Sequence, residues 1–217
     1  VPYDARGPKF TYKMVAGDPV IMKYLYRFET AAAAADQFKR EGDWFLYRAE
    51  KLHLRYAEAA NRDNQHLIAN AILNNGIARA FNPDNLDVNT ADVTNAMRTN
   101  KSFPYDFNAR QGQFPYYRDN WYRGGGVRNG RANLIVAPVV GDSLISIENN
   151  IIDEAALCLA YEGNRWEDLV RIARRRNDPA FLADKIFEKL NLEGNAEATN
   201  VRSKLMNPNN WYLPFKW

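Results

Sequence analysis

The stretch "IENNIIDEAALCLAYEGNRWEDLVRIARRR", residues 147 to 176, decides the fold. Ile152, Ala155, Ala156 and Leu159 recur at helical spacing after Ser146, a suitable N-cap, so the pattern predicts a helix reaching about Tyr161. Gly163 reads as its stop. A second helix follows in "RWEDLVRIARRR", with Trp166 and Leu169 on its apolar face, Arg165 and Asp168 spaced to pair, and arginines in its last turn, where they complement the helix dipole. "NDP" ends it. The same letters could suggest an acid/base site built from Glu162, Glu167 and Asp168, or a basic face of Arg171, Arg174, Arg175 and Arg176. Carboxylates on adjacent helical residues point about 100° apart, however, and arginines at a helix C-terminus already have a structural use. The join between two helices is the better reading.

Working outward, Asp43 is placed to cap a helix from Trp44 to about Asn61, with Phe45, Ala49, Leu52, Tyr56 and Ala59 at helical spacing. Asn64 is placed to cap a second helix to about Phe81, with Ile68, Ala71, Ile72 and Asn75 on one face. Together they predict an antiparallel αα-hairpin over about 44–81, matching a second one over about 147–176. Residues 10–15 and 20–27, separated by "AGDP", predict a small edge β-hairpin. The alanine-rich segment 31–43 reads as a connection, and 90–98 as a short helix. The tract 99–141 is a long irregular loop, too long to be idle. Helices at about 180–190 and 196–205 precede an extended tail, "NNWYLPFKW". The expected fold is mostly α: tetratricopeptide-like helical hairpins with long irregular loops, in a single domain over 1–217, although the strict tetratricopeptide motif is absent.

Composition narrows the classes of function. With 29 Lys plus Arg against 26 Asp plus Glu, the net charge of +3 gives no argument for nucleic acid as a partner. The single cysteine, Cys158, excludes an internal disulfide and falls in an apolar helical pattern, so it is expected to be buried. No run of 18 apolar residues is present to span a bilayer. The opening Val1-Pro2, without Met, reads as part of a longer protein.

Several stretches carry possible chemistry. "GDSL" at 141–144 matches the nucleophile block of one esterase class, with Ser143 as nucleophile; that class needs a later histidine, and both histidines, His53 and His66, come earlier. A turn before a Ser146 cap is the simpler reading. No transition-metal spacing exists, and Asp84, Asp87, Asn89 and Asp92 lack the pattern of an EF-hand. "GGGVRNG" at 124–130 lacks the lysine and flanking elements of a phosphate loop. No catalytic residue, metal or cofactor is therefore expected.

Three blocks share one pattern. "FLYRAEKLHLRYAEAANR" (45–62) is similar to "yRxAExxLxyAEAxN", "IENNIIDEAALCLAYEGNRWEDLVRIAR" (147–174) to "IxxERxxELxxEGxRWxDLxR", and "NWYLPF" (210–215) to "YLPIP". Asp153-Glu154-Ala155 and Cys158-Leu159 stand where that pattern has Glu-Arg and Glu-Leu. The chain thus resembles the SusD/RagB family, surface nutrient-binding lipoproteins of Bacteroidetes, and reads as the C-terminal part of such a protein. The resemblance implies a mostly helical, non-enzymatic protein at the outer-membrane cell surface, held by a lipid anchor outside this chain. One face would dock on a SusC-like TonB-dependent transporter, and irregular loops would hold an oligosaccharide or peptide.

"FPYDFNARQGQFPYYRDNWYRGG" (103–125) suits that role by its own chemistry. Rings stack on the apolar C–H faces of sugars, while amides and guanidinium groups take hydroxyls. The candidate ligand-binding residues are Tyr117, Trp121 and Tyr122 for stacking, with Arg118 and Asn120 for hydrogen bonding. The alternatives are a helical scaffold whose aromatic loop packs against a protein partner and, third, the esterase.

Overall fold

Helices dominate among residues 11–21, 47–80 and 138–212, which the computed structural model describes. The chain divides into two compact units, Val1–Ala160 and Tyr161–Trp217. The boundary falls inside the segment 147–176, so the two helices expected to form the second hairpin are described each in its own unit. Residues 22–27 of the expected second strand, the connection 31–43, the start of the first helix at 44–46, Phe81, the helix at 90–98 and the tract 99–137 lie outside the described residues.

In the first unit, β1 (Tyr12–Val15) and β2 (Asp18–Ile21) form an antiparallel hairpin with Val15 opposite Asp18 and Met14 opposite Pro19. Ala16 and Gly17 alone make the turn, with φ of 52° and 94°. Two successive positive φ values match the strand twist of a two-residue hairpin. Asp18 and Pro19, expected in the turn, belong to the strand. The pair flanking a two-residue loop is the hydrogen-bonded one, so Pro19 sits at a non-hydrogen-bonded position and its missing N–H costs nothing.

Helix α1 (Ala49–Arg62) starts later than its apolar pattern suggested, because Arg48 is extended at φ −119° and ψ 158°. Its buried face also differs. Leu54, Ala57, Glu58, Ala60 and Asn61 are buried, whereas Leu52 is 51% exposed and Ala59 is exposed. Counting only apolar residues set the phase wrongly, since two polar residues, each hydrogen-bonded or ion-paired, belong to the stripe. Tyr56 packs at the edge of this core. Asn64, expected as the next cap, is instead a left-handed turn residue (φ 60°). Helix α2 (His66–Ala80) begins after Gln65, whose carbonyl accepts from Ala69 N at 2.9 Å. Ile68, Ala71 and Ile72 are buried as expected; the side chain of Asn75 lies outside the described set. Gly76, at φ 75° and ψ 169°, interrupts this helix.

Helix α3 (Ser143–Cys158) begins three residues before the expected Ser146 cap. Asp142 is the cap: its Oδ1 accepts from Ile145 N at 2.9 Å, and this local carboxylate–amide bond starts the helix one turn early. Ser146 is inside the first turn, where its Oγ accepts from Val140 N at 2.9 Å. Helices α1, α2 and α3 pack on one another around Leu54, Ala57, Ala60, Ile68, Ile72, Ile147, Ile151 and the buried Cys158.

Helix α3 ends at Cys158, short of Tyr161, so Gly163 does not terminate it. Tyr161 (φ 65°) and Gly163 (φ 78°) are both left-handed, and Gly163 occupies the N-cap position of α4 (Asn164–Arg176) in the second unit. A left-handed Asn177 ends α4. Asp178 caps α5 (Pro179–Leu192) by accepting from Ala180 N at 3.1 Å, with proline at the first helical position, where its missing N–H is not needed. Helix α6 (Ala198–Leu205) follows. The expected extended tail begins as a short 3-10 helix, Pro208–Trp211, whose first turn is held by the Asn207 side chain accepting from Asn209 N; 213–217 lie outside the described residues. Successive helices of this unit pack together, burying Leu169, Ile172, Leu182, Leu205 and Trp211. The fold is mostly α with tetratricopeptide-like hairpins.

Candidate functional site

The second unit contains a groove built along α4. Trp166, Val170 and Arg174 are four residues apart and therefore stack along one face of the helix, with Glu167, Arg171 and Arg175 beside them. Trp211 and Tyr212 form the opposite wall, and together these residues enclose about 670 Å³. The size falls in the range of small-molecule sites.

Hydrogen bonds fix the rings by their polar ends. Trp166 Nε1 donates to the Trp211 carbonyl at 3.3 Å, and Trp211 Nε1 donates to the Leu205 carbonyl at 2.7 Å. Arg174 Nη1 donates to the Tyr212 hydroxyl at 2.7 Å. Trp211 is buried, whereas Trp166 is 42% and Tyr212 56% exposed. The groove thus displays two oriented aromatic rings to solvent. Trp166 was expected to bury its face; its ring instead lines the groove, and Leu169 alone of that pair is in the core.

Three arginines and Glu167 line the groove beside the rings, and of the three Arg171 is ion-paired with the buried Asp168 at 3.2 Å. Arg175 is pushed below its ordinary value, first by burial and then by the neighbouring Arg176 cation. Arg176 is also lowered by burial, against the raising effect of Asp178, and its guanidinium lies 4.6 Å from the centre of the Phe181 ring.

The sequence-selected binding residues, Tyr117, Arg118, Asn120, Trp121 and Tyr122, lie outside the described residues, as do Asp84, Asp87, Asn89, Asp92 and the glycines at 124–130. Ser143 of the "GDSL" block is the first residue of α3, and the preceding Asp142 serves as its cap. Of the acids around Gly163, Asp168 is buried and held by Arg171 at 3.2 Å, withdrawn from the solvent where a substrate would approach. Among the described residues, no group of three or more His, Cys, Asp and Glu could hold a metal, and no helix is long and apolar enough to cross a membrane.

The shared sequence blocks prove to be structural clasps. Arg48 Nη2 donates to the Cys158 carbonyl at 2.7 Å, placing a cation at the C-terminus of α3. Asn61 Nδ2 donates to the Leu144 carbonyl at 2.8 Å. Glu58, buried, is ion-paired with Arg62 and with Arg55. In the second block, Trp166 and Asp168 make the bonds given above.

A family model described as the SusD family matches residues 8–215. The chain belongs to the SusD family. Members of that family bind nutrients at the cell surface and are associated with the outer membrane, and they are generally not enzymes. Comparison of this SusD-family chain with curated proteins and with solved structures returned no match. Sequence reasoning missed the groove because its walls are 45 residues apart in the chain. The one available signal was the pair Trp211-Tyr212 in a block already singled out.

Proposed function

We propose that this SusD-family chain binds a nutrient oligosaccharide, with a peptide as the second ligand class, and delivers it to a SusC-like TonB-dependent transporter of the outer membrane. The observation that supports this reading is the family match across residues 8–215, which includes the whole aromatic tract. Within that tract, Tyr117, Trp121 and Tyr122 are proposed to stack on the ligand, and Arg118 and Asn120 to hydrogen-bond it. Ring faces and planar amide or guanidinium groups suit a ligand that presents alternating apolar C–H patches and hydroxyls. The protein is proposed to be anchored by a lipid outside this chain and to form one domain over 1–217.

Calorimetric screening against neutral and charged oligosaccharides and peptides, with pull-down of a co-expressed transporter, tests the reading. Binding weakened by Trp121→Ala is expected. Absence of both ligand binding and transporter association overturns it. If Trp121→Ala leaves ligand binding intact but breaks a protein complex, the helical-scaffold reading replaces it. Ester turnover that disappears in Ser143→Ala would restore an enzymatic one.

A further inference from the structure

The groove along α4 is separate in sequence from the aromatic tract and has its own chemistry. Its two exposed rings, Trp166 and Tyr212, are each fixed by a hydrogen bond at the polar end, leaving faces that can accept apolar surface. Arg174 lies two turns along α4 from Trp166, and its bond to the Tyr212 phenol uses one donor of a five-donor group. A phenol is neutral, so the guanidinium charge is not compensated by that bond. Arg171 in the same lining is ion-paired with the buried Asp168, so the carboxylate-binding role falls to Arg174.

We propose that this groove takes a uronate-containing oligosaccharide, with the C–H face of one sugar on the Trp166 indole and a uronate carboxylate two helical turns away on Arg174. An aromatic wall selects a ligand with a flat apolar face, and a guanidinium fork selects a planar carboxylate that can accept two parallel hydrogen bonds. An acidic peptide fits less well. The lining residues belong to α4 and to 211–212, with no strand edge for a peptide to pair along, so most of a peptide's amides would lose water without a backbone ladder to replace it. The choice of a sugar as the carrier of the carboxylate rests on the nutrient-binding reading above.

The test is calorimetric titration of the full chain with tetragalacturonate, its methyl ester and neutral maltotetraose. Tetragalacturonate is expected to bind. Esterification, and separately Arg174→Gln, are expected to weaken it by about tenfold or more, the size of a lost charge-assisted bidentate contact. Tyr212→Phe keeps the ring and removes the acceptor that positions Arg174, so a smaller loss is expected. Arg174 is exposed, and an unchanged Tm would show that its replacement leaves the fold intact; Arg174→Lys, which keeps the charge and loses the fork, should weaken binding as well. Equal affinity for acid and ester, or for wild type and Arg174→Gln, overturns the proposal. So does absence of tetragalacturonate binding. Binding lost in Trp121→Ala and kept in Arg174→Gln overturns the groove while leaving the nutrient-binding reading intact.

Discussion

Asn61, fully buried near the end of α1, joins three helices: its Nδ2 donates to the Leu144 carbonyl at 2.8 Å and its Oδ1 accepts from His66 Nδ1 at 2.7 Å. Asn61→Leu removes both bonds from partners that are only partly buried, the Leu144 carbonyl and the His66 imidazole. A loss of about 1–2 kcal/mol is expected in urea unfolding. Asn61→Asp keeps the shape and sets an oxygen against the Leu144 carbonyl, so it should also destabilise. An Asp variant as stable as wild type would overturn the assigned orientation of the amide.

A second buried polar group is the carboxylate pair of Glu58 and Glu148, both almost without exposure, served by Arg62. Arg62 is ion-paired with Glu58 and lies 3.9 Å from Glu148 Oε1, beyond hydrogen-bond distance. Removing the cation should cost more than neutralising Glu148, because the former weakens the compensation of buried charge, Glu58 keeping Arg55 at 3.4 Å, while the latter removes a buried charge. Arg62→Met is expected to cost about 2–3 kcal/mol, reduced from a fully buried case because Arg62 is partly exposed. Glu148→Gln should cost less than Arg62→Met. Chemical denaturation of the two variants gives the ordering directly.

Burial holds the His53 imidazole below its ordinary value. The unfolded chain therefore binds that proton more readily than the folded one. Its contribution to stability is whole above the unfolded pKa of about 6.5 and is lost as pH falls through that value towards the lowered folded one. Thermal melts should show Tm falling below about pH 6.5, and His53→Gln should flatten part of that slope. A slope unchanged by the substitution would assign the acid sensitivity to other groups.

The start of α3 can be tested by three single substitutions. Asp142→Ala removes the side chain that accepts from Ile145 N and should cost about 1 kcal/mol. Ser143→Ala should change stability little. Ser146→Ala removes an exposed bond to Val140 N, and its effect should be smaller than that of Asp142→Ala. The opposite ranking in denaturant melts would return the cap to Ser146.

Much of the helical architecture was legible because its signals are local. Asn177-Asp178-Pro179 marks the end of α4, and Ile68, Ala71 and Ile72 mark the buried face of α2 through their spacing. The errors share a cause. The apolar spacing puts Leu52 and Ala59 on the inward face and leaves Glu58 and Asn61 out of it, because a periodicity of apolar residues cannot count a polar residue that finds a partner in the fold. Of those partners, Arg62 is on α1 itself, one helical turn from Glu58, while Leu144 and His66 are supplied by other helices. The candidate residues 117–122 were chosen by composition alone and lie outside the described residues, while Trp166 was read as core although it lines a groove.

By itself the sequence determined the class of fold and the family, because capping residues, helical spacing and the three shared blocks are properties of short contiguous segments. Tertiary structure alone decided where α3 meets α1, through Arg48 on the Cys158 carbonyl and Asn61 on the Leu144 carbonyl. It also decided that Trp166, Arg174 and Tyr212 line one groove. The physical reason is the same in each case: a hydrogen bond or a shared wall between residues 38 to 110 positions apart depends on how helices pack, and no local pattern encodes it.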